Sequence, residues 1–235
     1  IYEMSINYDA ASLKRFNLVM GILHAVQGLL MLVFAVSVDK FAQFKLPVWS
    51  HFLNFDLTHM RLVTLPEKLF DVPFAILVSM FLFLSALAHF IIVMPATNKI
   101  YNRDLQKGIN RFRWYEYSLS SSLMIVLIAL LFGVYDVGAL IAIFLLNASM
   151  NLFGLLMEEI NQYRQKTDWS AFVFGSLAGI GPWIVIIMHA FGNSDPSLVP
   201  WFVYAIVGSY FVFFNLFPIN MVLQYKKIGR WKDYL

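Results

Sequence analysis

The stretch Arg111-Phe112-Arg113-Trp114-Tyr115-Glu116-Tyr117-Ser118-Leu119-Ser120-Ser121-Ser122-Leu123-Met124, continued by unbroken hydrocarbon to Phe132, decides how this chain is read. It opens on two cations, turns apolar, and carries Glu116, the only acid placed inside any of the long apolar runs. A carboxylate within a bilayer costs several kcal/mol unless it is paired, protonated or hydrated, so it marks a functional site by default.

The surrounding chain supplies the bilayer. Hydrophobic residues fill 60% of the 235 positions, charged residues 13%, and mean hydropathy is +0.70, a balance that excludes a soluble domain. Six stretches, roughly Phe16–Val38, Val72–Thr97, Trp114–Tyr135, Val137–Met157, Trp169–Asn193 and Pro196–Tyr225, are each long enough to cross as helices. We place the spans at about 13–38, 71–96, 109–135, 137–158, 169–192 and 198–225, in one all-α bundle without an appended soluble domain. The short alternating segments of a membrane β-barrel are not what these stretches show.

Thirteen of the 17 lysines and arginines lie before the first span, in the loops Lys99–Arg113 and Glu158–Asp168, and from Lys226 onward; the other four lie in the loop Asp39–Asp71. By the positive-inside rule the N-terminus is cytoplasmic and the protein is a multi-pass cell-membrane protein. The first external loop, 39–70, is too long for an idle connector. Leu53–Thr58 alternates as a strand, Met60–Thr64 is its expected hairpin partner, and a lid or dimer contact is its expected use. There is no cysteine, which excludes disulfides and thiolate metal sites, and no metal cluster is expected. The pI near 9.0 reports topology and not nucleic-acid binding. The chain opens at Ile1 with no signal peptide, so the sequence is expected to be trimmed at its start. Hydrolase, metalloprotease and phosphate-loop motifs are absent, so no enzyme is expected.

Two histidines share the depth of Glu116. His24 and His89 each lie about 14 Å from the nearest cytoplasmic charges, and Glu116 about 5–8 Å beyond Arg113 and Arg111, at ~1.5 Å per helical residue. Gln27 follows His24 by three residues, Ser85 lies one turn from His89, and Ser120 one turn from Glu116. These groups predict a polar cavity in the cytoplasmic half that stores or relays a proton. The outer half has Asp136, His189 and Asp195 only at or beyond its margin, which argues against a pump. Met124, Asn147, Pro182-Trp183 and Phe211–Asn215 suit a mid-membrane slot for an elongated apolar ligand.

Taken together, these residues resemble the heliorhodopsins, the microbial retinal proteins whose N-terminus faces the cytoplasm. The resemblance is carried by Phe16-Asn17 with His24 and Gln27, by Leu84–Phe90, by Arg113–Ser122, and by Asn147–Met150, Pro182-Trp183, Phe213–Asn215 and Gln224–Lys226. It implies a rhodopsin-like bundle with all-trans retinal as cofactor. Glu116 would then be the counterion of the protonated Schiff base, with Ser85, His24, His89, Gln27 and Trp114 in the cavity beside it. Tyr117, Ser120, Ser121, Met124, Asn147, Trp183, Phe214 and Asn215 would contact the chromophore. The family's retinal lysine sits on a seventh helix. Here all 17 basic residues lie in loops or at span boundaries, so that helix is expected beyond Leu235. The function implied is a light sensor that signals by conformational change. Light-driven or light-gated proton transport and light-dependent regulation of a cytoplasmic enzyme are the alternatives. A homodimer and a cytoplasmic signalling partner are the expected associations, besides membrane lipid.

Overall fold

The computed structural model describes residues 9–192, 199–229 and 231. Asp195, Pro196 and the first residue of the span expected at 198–225 therefore lie outside the described residues, as do Arg230 and Lys232 of the basic tail.

Helix α1 spans Ala10–Ser37, and Asp9 caps it by accepting from Ala11 N at 3.0 Å. A single turn, α2 (Asp39–Ala42), leads into strand β1 (Lys45–Asp56), which pairs antiparallel with β2 (Arg61–Pro73) from Lys45↔Pro73 to Asp56↔Arg61. The hairpin is much longer than the alternation alone predicts, because main-chain pairing continues where side chains cease to alternate. Leu57, Thr58 and Met60, expected in strands, form the turn instead. Asp56 Oδ1 accepts from Thr58 N and His59 N at 2.9 and 3.2 Å, and Met60 takes a positive φ of 49°.

Strand pairing through Pro73 delays α3, which runs Phe74–Val93. Pro95 holds Met94 extended, ends α3, and starts α4 at Pro95–Gln106, so most of the expected cytoplasmic loop is helical. Asn110 accepts from Arg113 N at 3.2 Å and caps α5 (Arg111–Leu131). Gly133, at φ 83°, turns the chain into Asp136, whose carboxylate accepts from Ala139 N at 2.9 Å and caps α6 (Val137–Asn161). α7 (Ser170–Phe191) and α8 (Trp201–Tyr225) run through Pro182 and Pro218. Six of these helices, α1, α3, α5, α6, α7 and α8, are long and apolar enough to cross a membrane.

In order of contact, α1 packs on α3, α3 on α5, α5 on α6 and α6 on α7. α8 meets this row chiefly through rings: Trp183 lies edge-on to Phe211 and Phe214, and Phe217 edge-on to Tyr117. The main core occupies the hairpin end, where Leu46, Val48 and Val72 close over Ile125, Ile128, Leu130, Ile143 and Ile186. Trp49 N donates to Tyr135 O at 2.9 Å and ties the hairpin base to the α5–α6 turn. The other end, rich in Lys and Arg, holds the polar groups.

Candidate functional site

Glu116 lies in the second turn of α5, so the helix fixes its depth and the small serines that follow leave room beside it. Its Oε1 accepts from Ser85 Oγ of α3 at 2.7 Å. Among the described residues it forms no ion pair, which leaves a half-buried carboxylate within hydrocarbon with one neutral donor.

Glu116 stands where two cavities meet. The first, about 320 Å³, is bordered by Asn17, His89, Asn110, Arg113, Trp114 and Gln224. The second, about 990 Å³, is a mostly apolar slot between α3, α5, α6, α7 and α8. Glu116, Trp114 and Tyr117 border both. Ser85, Ser120, Ser121, Met124, Trp183, Phe214 and Asn215 border only the slot. Asn147 faces neither: it stands behind the α5 serines and donates to Ser121 Oγ at 2.8 Å and Ser122 Oγ at 3.0 Å.

His24 and Gln27 also border neither cavity. They connect through His89, whose ring stacks on that of His24 with centroids 5.6 Å apart and 14° between planes. His24 Nδ1 lies 3.2 Å from Gln27 Oε1. Asn17, part of the first-helix motif but given no site role from the sequence, orders this pair. Its Nδ2 donates to Leu13 O at 2.9 Å, so its oxygen faces His89 Nδ1 at 2.8 Å. An amide oxygen only accepts, so His89 carries a proton on Nδ1. The seven-residue spacing from Asn17 to His24, which puts both on one helix face, was the available signal.

The second missed group is Glu158. Placed by the sequence at the edge of a loop, it is 4% exposed, because α6 continues to Asn161. Arg113 Nη2 donates to Glu158 Oε1, and Asn110 N donates to Oε2 at 2.8 Å. Arg113 also lies over the Trp114 ring, 4.9 Å from its centroid. The cation nearest in sequence to Glu116 is therefore committed to another acid. Arg111 is committed as well, to Asp104 and Glu159.

A half-buried carboxylate at the head of an apolar slot of this size suits an elongated hydrocarbon ligand ending in a cation. The sequence model of a family described as Heliorhodopsin matches residues 13–235. The chain belongs to the heliorhodopsin family. Heliorhodopsins bind retinal as their chromophore, so this is a retinal-binding, photoreceptor-like membrane protein with a rhodopsin-like helical bundle. Its family is not a known enzyme family. No curated protein sequence matches it. For a heliorhodopsin the residues present fit the polyene: rings from Trp183, Phe214 and Phe217 line the slot and Glu116 heads it. Among the described residues no lysine lines the slot, so these residues offer walls and a carboxylate but no amine.

Proposed function

We propose that this heliorhodopsin is a light sensor in which Glu116 is the counterion of a protonated retinal imine, and that it signals by conformational change without pumping ions or acting as an enzyme. The observation that carries this reading is the single position of Glu116, at the junction of slot and polar cavity, hydrogen-bonded to Ser85 and, among the described residues, without a cation of its own. Retinal, when bound as an imine, supplies visible absorption and light-driven isomerisation. The chain's residues do the rest. Ser85 Oγ–H orients the Glu116 carboxyl group, and the His24–His89 stack offers a nearby proton store. Trp114 touches both cavities and carries Arg113 on its face, so a change at Glu116 reaches the Arg113–Glu158 pair at the basic end.

The apolar core of the hairpin end supports a sensor over a pump. Ile125, Ile128, Ile143 and Ile186 fill the half of the bundle through which a proton would have to continue. We place the N-terminus and the basic end in the cytoplasm on the lysine and arginine distribution, with a cytoplasmic partner docking there. The hairpin exposes Leu53, Leu57 and Leu62, and we propose it as the contact of a homodimer. The test is the visible spectrum of the full-length protein reconstituted with retinal. Glu116→Gln should move the absorption maximum and lower the pKa of the imine, and no change in either would end the counterion role. Illuminated cells in unbuffered medium should show no pH change that an uncoupler abolishes.

A further inference from the structure

The seam between α5 and α6 holds a polar cluster that the counterion role leaves unused. Asn151 Nδ2 donates to Asn147 O at 2.9 Å and to Ser121 Oγ at 3.0 Å. Ser121 Oγ itself donates to Tyr117 O at 2.6 Å. A backbone carbonyl only accepts, so chemistry fixes the carboxamide of Asn151: nitrogen toward Asn147, oxygen away from it. That Oδ1 accepts no hydrogen bond among the described residues. Yet Asn151 is only 6% exposed and lines the apolar slot. The oxygen is open to the slot and has no protein donor, so a ligand that brings a donor can supply its hydrogen bond. A site built around such a group discriminates against ligands that lack the donor, which a purely apolar wall does poorly.

We infer that the slot is selective for polyenes bearing a hydroxyl group, with Asn151 Oδ1 accepting from that hydroxyl. This rests on the slot being the retinoid site proposed above. Apolar contacts from Met124, Met150 and Trp183 hold the hydrocarbon in either case, so the hydroxyl alone sets the difference. One neutral hydrogen bond corresponds to a preference of roughly tenfold.

The experiment offers chromophore-free, full-length protein an equimolar mixture of all-trans-retinal with either 3-hydroxyretinal or 4-hydroxyretinal. Bound chromophore is released as the oxime and the ratio read by chromatography. Quenching of tryptophan emission gives each affinity without requiring pigment to form. Wild type should take up at least one hydroxylated form about tenfold over retinal, while Asn151→Leu should bring the ratio near one. Asn151→Ser, too short to keep the same reach, should do likewise, and carries the test where the leucine variant does not fold. A wild-type ratio near one with both compounds, as a water seated on Oδ1 would give, overturns the inference. So does a preference that survives both substitutions. Failure of all three polyenes to quench or bind overturns the retinoid reading itself, and the selectivity falls with it.

Discussion

Gly154→Ala tests the seat of Trp114, the side chain that joins the two cavities. A Cβ at position 154 would stand 2.7 Å from Trp114 Cε3, and closer still to Cζ3 and Cη2, while ordinary contact begins near 3.4 Å. The ring must therefore retreat by more than the 0.7 Å between those values. It has little room, because Trp114 is buried with Ile109 and Leu155, lies edge-on to Tyr117, and carries Arg113 on its face. Overpacking of this kind costs about 1–3 kcal/mol, and alanine returns about 0.5–1 kcal/mol of helix propensity. The net loss expected is about 1–2 kcal/mol, or roughly 5–30-fold in the folded-to-unfolded ratio. Thermal unfolding in detergent, followed by circular dichroism, should show a lowered midpoint, and the retinal-bound protein should show a displaced absorption maximum. Gly208→Ala is the control: a Cβ there meets nothing within 4 Å, so the midpoint should hold or rise. Gly179→Ala should lie between, since its Cβ meets the flexible Met150 side chain. If Gly154→Ala matched Gly208→Ala in both readouts, Trp114 would not be the rigid bridge described here.

Arg113→Met should destabilise by about 3–5 kcal/mol, because Glu158 would remain buried without its cation, whereas Arg113→Met with Glu158→Leu should recover most of that loss. Equal unfolding midpoints for the single and double variants would contradict the pair. Asp136→Ala removes the cap of α6 and should cost about 1 kcal/mol, read as a lowered midpoint at neutral pH. The Ala139 N–H bond, and then His51, hold the Asp136 carboxyl below the ordinary 3.8. Its contribution is thus complete above that value and fades as pH falls through the lowered one, so a midpoint difference between wild type and Asp136→Ala that did not shrink at all as the pH was taken down below 3.8 would speak against it. Asn17→Leu should release His89 from its fixed tautomer, and nitrogen NMR of labelled histidine should report a mixed proton position; a spectrum identical to wild type would remove Asn17 from that role.

The sequence exposes depth well and pairing poorly. Glu116, His24 and His89 could be set at comparable depth because a helix advances by a fixed rise, and six apolar runs each of spanning length leave little choice of fold. Rotation about the helix axis is less legible in a membrane, where lipid-facing and buried positions are both apolar. That is why Asn147, expected to touch the ligand, instead backs the α5 serines, while Asn151, one turn further along, lines the slot. A four-residue step separates them, and only the crossing of α5 and α6 decides which faces inward.

Glu158 shows the second limit. In sequence, Glu158-Glu159 at the end of an apolar run reads as the start of a polar loop, since charges there are ordinarily solvated. In the fold the two acids diverge: Glu159 meets Arg111 near the surface, while Glu158 turns inward onto Arg113 and the Asn110 N–H. This division explains why Glu116 has no cation partner among the described residues. Among the described residues Arg113, three residues before it, is the only lysine or arginine bordering either cavity, and Glu158 already occupies it. A protein built only to hold Glu116 as a structural ion would have turned Arg113 toward it. Committing the arginine elsewhere leaves the carboxylate open to a positive charge brought by a ligand, as the proposed counterion role requires.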